Sequence, residues 1–250
     1  MHRFFISKDN LNQDKVEISG QDYKHISRSL RLQEGDKIIA CTGDGNDLLV
    51  KLDEFTDDAV RGKVLKKSKS STEPDLKVTL AQAIPKNRNM ELVAQKTTEI
   101  GINEIIPLST KRTIVRLKGK KRKKRIDRWQ RIAEEAAKQS QRGIIPGIND
   151  IFTVKQLKTI RDRYDLILVL WVDNDARSLS EVLADINRSE IKNVMLIIGP
   201  EGGFTDQEIN IIKDDLNGHS VRLGPRIFRT ETAGLVGLSA LLYEFNELGG

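Results

Sequence analysis

Val194-Met195-Leu196-Ile197-Ile198-Gly199-Pro200-Glu201-Gly202-Gly203-Phe204-Thr205-Asp206-Gln207-Glu208 runs from an apolar stretch through a glycine-rich turn into a helix start. Five consecutive apolar residues ending at a glycine read as a strand buried on both faces. Thr205 and Glu208 stand three apart, the spacing of a capping box, and predict a helix over residues 205–216. Strand, loop and helix in that order form one unit of an α/β fold, and the pattern extends in both directions. Upstream, strands are predicted at 76–83, 104–108 and 166–172, with helices at 89–100, 124–140, 153–160 and 179–186. The helix at 124–140 gathers Ile126, Trp129, Ile132, Ala133, Ala136 and Ala137 on one face. Downstream, a last strand at 221–223 precedes a closing helix at 232–246. This alternation predicts an α/β fold with a mostly parallel sheet covered on both faces.

The N-terminal part follows a different pattern. Short strands are predicted at 4–7, 16–19, 37–42, 47–52 and 60–66, with Gly43-Asp44-Gly45-Asn46 as a tight turn between two of them. Tyr23, Ile26 and Leu30 suit one short helix between residues 21 and 32. These elements predict a small β-barrel. The polar run Lys67-Ser68-Lys69-Ser70-Ser71-Thr72-Glu73-Pro74 reads as a linker, dividing the chain into residues 1–72 and 73–250.

Charge is unevenly distributed. Residues 61–142 hold 23 Lys/Arg against eight Asp/Glu, a net of +15, whereas the whole 250-residue chain carries +6. A block this basic beside an acidic remainder suits a polyanionic partner, nucleic acid above all, although a solvated lysine-rich surface has the same composition. No apolar run approaches the ~20 residues that span a bilayer, and the apolar stretch at the N-terminus is too short for a signal peptide. The single cysteine, Cys41, leaves no internal disulfide, and the three histidines show no metal-ligand spacing. A cytoplasmic protein without membrane or metal partners is the expectation.

In open α/β sheets, ligands bind beyond the carboxyl ends of the strands. Two predicted loops lie there. Residues 199–203 offer three glycines, and so close backbone approach and free N–H groups, although a plain turn would use glycine as well. Neither a dinucleotide fingerprint nor a phosphate-binding P-loop is present. Leu223-Gly224-Pro225-Arg226-Ile227-Phe228-Arg229-Thr230-Glu231-Thr232-Ala233 places two arginines and a glutamate beside two threonines, either of which could simply cap the following helix.

Five motifs then recur in a familiar order: Gln82-Ala83-Ile84-Pro85-Lys86, Thr98-Glu99-Ile100-Gly101, Glu135-Ala136-Ala137-Lys138-Gln139-Ser140-Gln141-Arg142, Ile198-Gly199-Pro200-Glu201-Gly202-Gly203-Phe204, and the segment 223–233. With His2-Arg3-Phe4-Phe5 and Leu30-Arg31-Leu32-Gln33-Glu34-Gly35-Asp36, they cover nearly the whole chain and resemble the bacterial 16S ribosomal RNA uracil-N3 methyltransferase family of the SPOUT class. The resemblance implies a PUA-like RNA-binding β-barrel followed by a SPOUT-like α/β domain with a C-terminal trefoil knot. It further implies a homodimer, S-adenosyl-L-methionine as cofactor, and 16S rRNA as partner, either free or within the small ribosomal subunit. Its cofactor pocket maps onto Leu170, Ile198, Gly199, Pro200, Glu201, Gly202, Gly203, Leu223, Gly224, Ile227, Thr232 and Ala233. Two departures stand out: Phe228 replaces an expected leucine, and Trp171-Val172-Asp173-Asn174-Asp175 fits the pattern loosely.

For catalysis, Arg229 is expected to stabilise charge on the uracil carbonyls. Glu201 or Glu231 is expected to accept the N3 proton, each with the alternative of pairing with an arginine. Arg3, Arg28, Arg31, Lys86, Arg112, Arg116 and Arg142 are candidate phosphate contacts. The basic run at 118–125 reads either as an RNA clamp or as a solvated loop. Three rivals remain: the same fold acting on another base or a ribose 2′-oxygen, a non-catalytic ribosome-assembly factor, and a metal-dependent nucleotide hydrolase, which the lack of ligand spacing disfavours.

Overall fold

The computed structural model describes residues 1–171 and 176–249, which fall into two compact units. The first comprises residues 1–73 and 137–145. Its strands are β1 (Arg3–Phe5), β2 (Leu11–Asn12), β3 (Lys15–Ser19), β4 (Lys37–Cys41), β5 (Asn46–Phe55) and β6 (Ala59–Lys69), with helix α1 (Gly20–Lys24) widening into a π-type turn over His25–Ser29. The sheet order is β1-β4-β5-β6-β3-β2. The β1/β4 pairing is parallel and the others antiparallel. Two register shifts between β5 and β6 increase the local twist. Inward residues Phe4, Val16, Ile18, Ile38, Val50, Leu52 and Val60 enclose Ile26 from the α1 turn. Strands β1 and β2 end the order without pairing to each other, so the expected barrel is a curled sheet.

Two features of this unit correct the sequence reading. The expected linker begins inside a strand, because β6 stays paired with β5 as far as Lys69 opposite Asn46. Beyond it Ser70 is buried, and Glu73 forms a buried ion pair with Arg142 at 2.5 Å. The Glu73 carboxylate also accepts the backbone N–H groups of Gly143 (2.7 Å) and Ile144 (3.1 Å). The first unit is therefore completed by residues 137–145, which the 72/73 division had assigned to the second.

The second unit, residues 74–136 and 146–249, is built on a seven-stranded sheet: β7 (Lys77–Ala83), β8 (Glu104–Leu108), β9 (Gly147–Ile148), β10 (Leu166–Leu170), β11 (Arg177–Ser178), β12 (Asn193–Ile198) and β13 (His219–Arg222). The order is β11-β13-β10-β12-β7-β8-β9, and every pairing is parallel. Helices α2 (Asn89–Ile100), α3 (Gly119–Gln139), α4 (Leu179–Ala184), α5 (Asp206–Asn210) and α6 (Thr230–Glu244) connect or cover the strands. Alternation along β12 explains its continuous apolar sequence. Val194, Leu196 and Ile198 join one core with Val93 of α2 and Leu238 of α6, and Met195 and Ile197 join the other with Phe204 and Ile212. The capping box ahead of α5 is present, with Thr205 N–H donating to Glu208 at 3.0 Å and Glu208 N–H to Thr205 Oγ1 at 3.4 Å.

Local differences from expectation have local causes. The loop alternative for the basic run at 118–125 is corrected, since the run is the beginning of α3, held by the buried Trp129 and Ala133 further along the same helix. The helix expected at 153–160 is a 3₁₀ stretch, Val154–Arg163. The helix expected from residue 232 begins at Thr230. The end of the strand expected at 166–172 and most of the loosely fitting segment 171–175 lie outside the described residues.

Candidate active site

Strand β12 ends at Ile198, and the chain turns sharply through residues 199–203. Gly203 N–H closes the turn on the Pro200 carbonyl at 2.8 Å, with Gly203 at φ +69°. A Cβ at Gly203 would stand 3.0 Å from the Trp171 ring, and one at Gly199 would stand 3.0 Å from Phe204. A side chain at either position would press on a ring, and Gly203 also adopts the left-handed conformation that favours glycine. Arg112 secures the outside of the turn, its Nη1 donating to the carbonyls of Gly202 (2.9 Å) and Phe204 (3.0 Å).

The second loop leaves β13, passes Gly224 at φ +91°, and enters α6 at Thr230. The Thr230 hydroxyl donates to the Gly199 carbonyl at 2.5 Å and accepts from Gln82 Nε2 at 2.9 Å. Gln82 is fully buried near the end of β7, so one threonine ties three distant segments together. Gln82 Oε1 has no hydrogen-bond partner among the described residues.

Between the loops lies a cleft of about 560 Å³. Leu170, Ile198, Gly199, Pro200, Glu201, Gly203, Ile227, Arg229, Glu231 and Ala233 all line it, drawn together from sequence positions 63 residues apart. Glu231 is buried and accepts from Asn89 Nδ2 at 2.9 Å. Glu201 is exposed and accepts the backbone N–H of Lys86 at 2.9 Å. Arg229 is exposed, and no ion pair engages it among the described residues. Ile227 is 94% exposed on the rim.

Four expected cofactor residues do not line the cleft. Gly202 faces Arg112, Leu223 packs on the core, and Gly224 serves the turn. Thr232 lies two residues, about 200°, around α6 from Thr230 and so points elsewhere. Trp171, Phe228 and Thr230 line the cleft from segments that the resemblance assigns to the pocket, Asn87 and Asn89 line it without having been expected there, and Lys86 does so although expected on RNA. Neither asparagine carried a local signal; both are brought in by the folding of the sheet.

Two expected phosphate contacts are corrected. Arg3 is turned inward onto Asp47, at 2.5 and 2.8 Å, with only 8% of its side chain exposed. Arg142 is held by Glu73 with 4% exposed. Buried guanidinium groups need such carboxylate partners. Arg112 braces the glycine turn and Arg116 donates to the carbonyls of Thr110 (3.2 Å) and Lys111 (3.0 Å), yet both stay exposed, as do Arg28, Arg31 and Lys86. Among the described residues, no three His, Cys, Asp or Glu side chains are grouped to hold a metal ion, and no helix is long and apolar enough to cross a membrane.

Comparison with known proteins agrees with this architecture. Residues 72–242 match the RNA methyltransferase domain, and residues 18–65 match the RNA methyltransferase PUA domain. A Bacillus subtilis protein, ribosomal RNA small subunit methyltransferase E, is 34% identical over 258 aligned positions covering 100% of this chain and 99% of the relative. The Neisseria gonorrhoeae ribosomal RNA small subunit methyltransferase E, solved bound to S-adenosyl methionine, superposes with a TM-score of 0.76 at 28% identity, covering 98% of each chain. A putative methyltransferase from Legionella pneumophila, solved with bound S-adenosyl methionine, gives a TM-score of 0.77 at 29% identity, covering 97% of each. The chain belongs to the RNA methyltransferase family with an N-terminal PUA domain, the family of the small-subunit ribosomal RNA methyltransferases E.

Proposed function

We propose that this protein methylates N3 of a specific uridine in 16S ribosomal RNA, using S-adenosyl-L-methionine as methyl donor. The observation that carries the reading is the cleft itself. A glycine turn, an arginine with no ion-pair partner among the described residues and two carboxylates converge at the carboxyl end of a parallel sheet, in a family whose relatives are named for this class of reaction. The cleft suits the cofactor, since Leu170, Ile198, Ile227 and Ala233 offer apolar walls and the turn at 199–203 offers backbone polar groups. Bound there, the cofactor supplies an electrophilic methyl group on a sulfonium centre, leaving the protein to position and to manage charge.

Uracil N3 carries a proton at neutral pH and lies on the Watson–Crick edge, so the base must be unpaired before it can enter. Glu201 is the better placed proton acceptor, being exposed at the mouth of the cleft with one oxygen oriented by the Lys86 N–H. Glu231 is buried against Asn89 and acts as a brace. Arg229 neutralises the charge that develops on the uracil carbonyl oxygens as the proton leaves.

The same reading includes a trefoil knot formed by the segments around 199–203 and 223–233. The return of the chain from β13, between β11 and β10, to α6, tied back to Gly199 and Gln82 through Thr230, supports it. It also includes a cytoplasmic homodimer. Helix α6 keeps Leu235 and Val236 partly uncovered and Tyr243 66% exposed, an apolar face suited to a second copy.

The test is calorimetric titration with S-adenosyl-L-methionine, followed by mass-spectrometric mapping of methyl groups on small-subunit RNA. Cofactor binding with N3-methyluridine at one position is the expected result. Methylation of another atom would keep the fold and move the substrate, and no cofactor binding by folded protein would favour an assembly factor.

A further inference from the structure

Most of the cations of helix α3 fall into two groups. Away from its crest, Arg122 pairs with Asp150 at 2.5 Å, and Arg125 and Arg128 pair with Glu91 at 3.4 and 2.8 Å. These contacts fasten the helix to its own unit. Along its crest, Lys120, Lys123, Lys124 and Arg131 are exposed, and none has an ion-pair partner among the described residues. At 100° per residue these four lie within about 100° of arc, opposite the buried Trp129 and Ala133. Asp127 is the one acidic residue among them.

This arrangement is unfavourable for an isolated helix. The first turn contains no acidic residue, so lysines sit where the helix dipole is positive, and Lys120 and Lys124 repel each other at the i,i+4 spacing. An external polyanion removes both penalties. The crest runs about 16 Å from Lys120 to Arg131, three turns of helix, and contains no aromatic or apolar side chain with which to read a base or a hydrophobic peptide. Three of its four cations are lysines, compact point charges on flexible stems that suit phosphates without demanding one geometry.

We infer that the exposed crest of α3, formed by Lys120, Lys123, Lys124 and Arg131, is a docking ridge for the phosphate backbone of the RNA substrate. It contributes affinity independent of sequence, while base selection stays with the cleft. The inference rests on the reading of the protein as an rRNA methyltransferase.

The test compares the full-length protein with the variant K120Q/K123Q/K124Q/R131Q, using small-subunit RNA transcripts over a series of salt concentrations. Glutamine is a good helix former, so the exposed crest keeps its helix. Loss of four phosphate contacts should flatten the slope of log affinity against log salt by about 3 to 4. Calorimetric affinity for S-adenosyl-L-methionine should not change. The charge-preserving K120R/K123R/K124R variant should bind RNA as the parent does. An unchanged slope in the glutamine variant, with a parent that binds and methylates RNA, would overturn the ridge and leave the proposed function standing. Selective loss of binding to anionic lipid vesicles rather than to RNA would also overturn it. A parent that binds neither cofactor nor RNA would overturn the function itself, and the ridge with it.

Discussion

Gln82 Nε2 donates to Thr230 Oγ1 at 2.9 Å, and the same hydroxyl donates to the Gly199 carbonyl at 2.5 Å. This relay joins the end of β7, the glycine turn and the start of α6 at the floor of the cleft. Thr230→Val keeps the shape and removes both bonds, depriving the Gly199 carbonyl of this donor and leaving Gln82 Nε2 only its bond to the Ala83 carbonyl, at about 1–3 kcal/mol for a buried group left unpaired. Affinity for S-adenosyl-L-methionine should fall at least about tenfold, with a lower melting temperature. Calorimetry and thermal unfolding measure the two effects, and an unaffected variant would mean that the turn is held by other contacts.

Arg229 lines the cleft without an ion-pair partner among the described residues, so its removal disturbs little of the fold. Arg229→Ala is expected to lower the single-turnover methylation rate by about 10²–10³-fold while cofactor affinity stays nearly constant. Loss of cofactor binding in this variant would reassign the residue to the cofactor site.

Gly203 sits at φ +69° with the Trp171 ring 3.0 Å from where a Cβ would be. Gly203→Ala incurs the left-handed backbone penalty of about 1–2 kcal/mol and presses its Cβ on the indole. Weaker cofactor binding and altered tryptophan fluorescence are expected together. A change in fluorescence alone would separate the packing of the turn from its part in binding.

The Glu73–Arg142 pair is buried on both sides, and Glu73 also holds two backbone N–H groups. Arg142→Ala or Glu73→Ala leaves one buried charge uncompensated and should cost about 3–5 kcal/mol by denaturant unfolding. Replacing both with apolar residues should cost less than the sum of the single changes. A single variant within 1 kcal/mol of the parent would contradict this account, since that is roughly the range of an exposed pair.

Burial pushes the Cys41 thiol up to about 11, against a smaller opposing effect of the Arg3 guanidinium. In the unfolded chain the thiol ionises first, so the folded protein holds a proton that the unfolded one releases. The resulting stability is fully present below about 9 and is lost as the pH rises through about 11. Cys41→Ala should remove this part of the alkaline decline in melting temperature. In the parent at neutral pH, alkylation of the thiol should track unfolding.

Local physics made much of the fold legible in the sequence. The apolar run of β12, the Thr205–Glu208 box and the spacing of α2 depend on neighbours within a few residues, and each appears in the structure at or near its expected bounds. The two loops of the cleft were legible as well, because glycine and paired arginines stand out in any loop. Other features depend on residues far apart in the chain. Nothing near Arg3 or Arg142 announces the carboxylates 44 and 69 residues away that turn them inward. A buried guanidinium and a phosphate-binding one are alike in sequence, and only the neighbour brought by folding distinguishes them. The same holds for Gln82 and Asn89, ordinary polar residues until β7 and α2 place them beneath Thr230 and Glu231. Sequence determined most of the elements that form and the two loops that border the cleft. The tertiary structure decided which polar groups are consumed in holding the site together and which remain free to act, because that choice depends on contacts that exist only after the chain has folded.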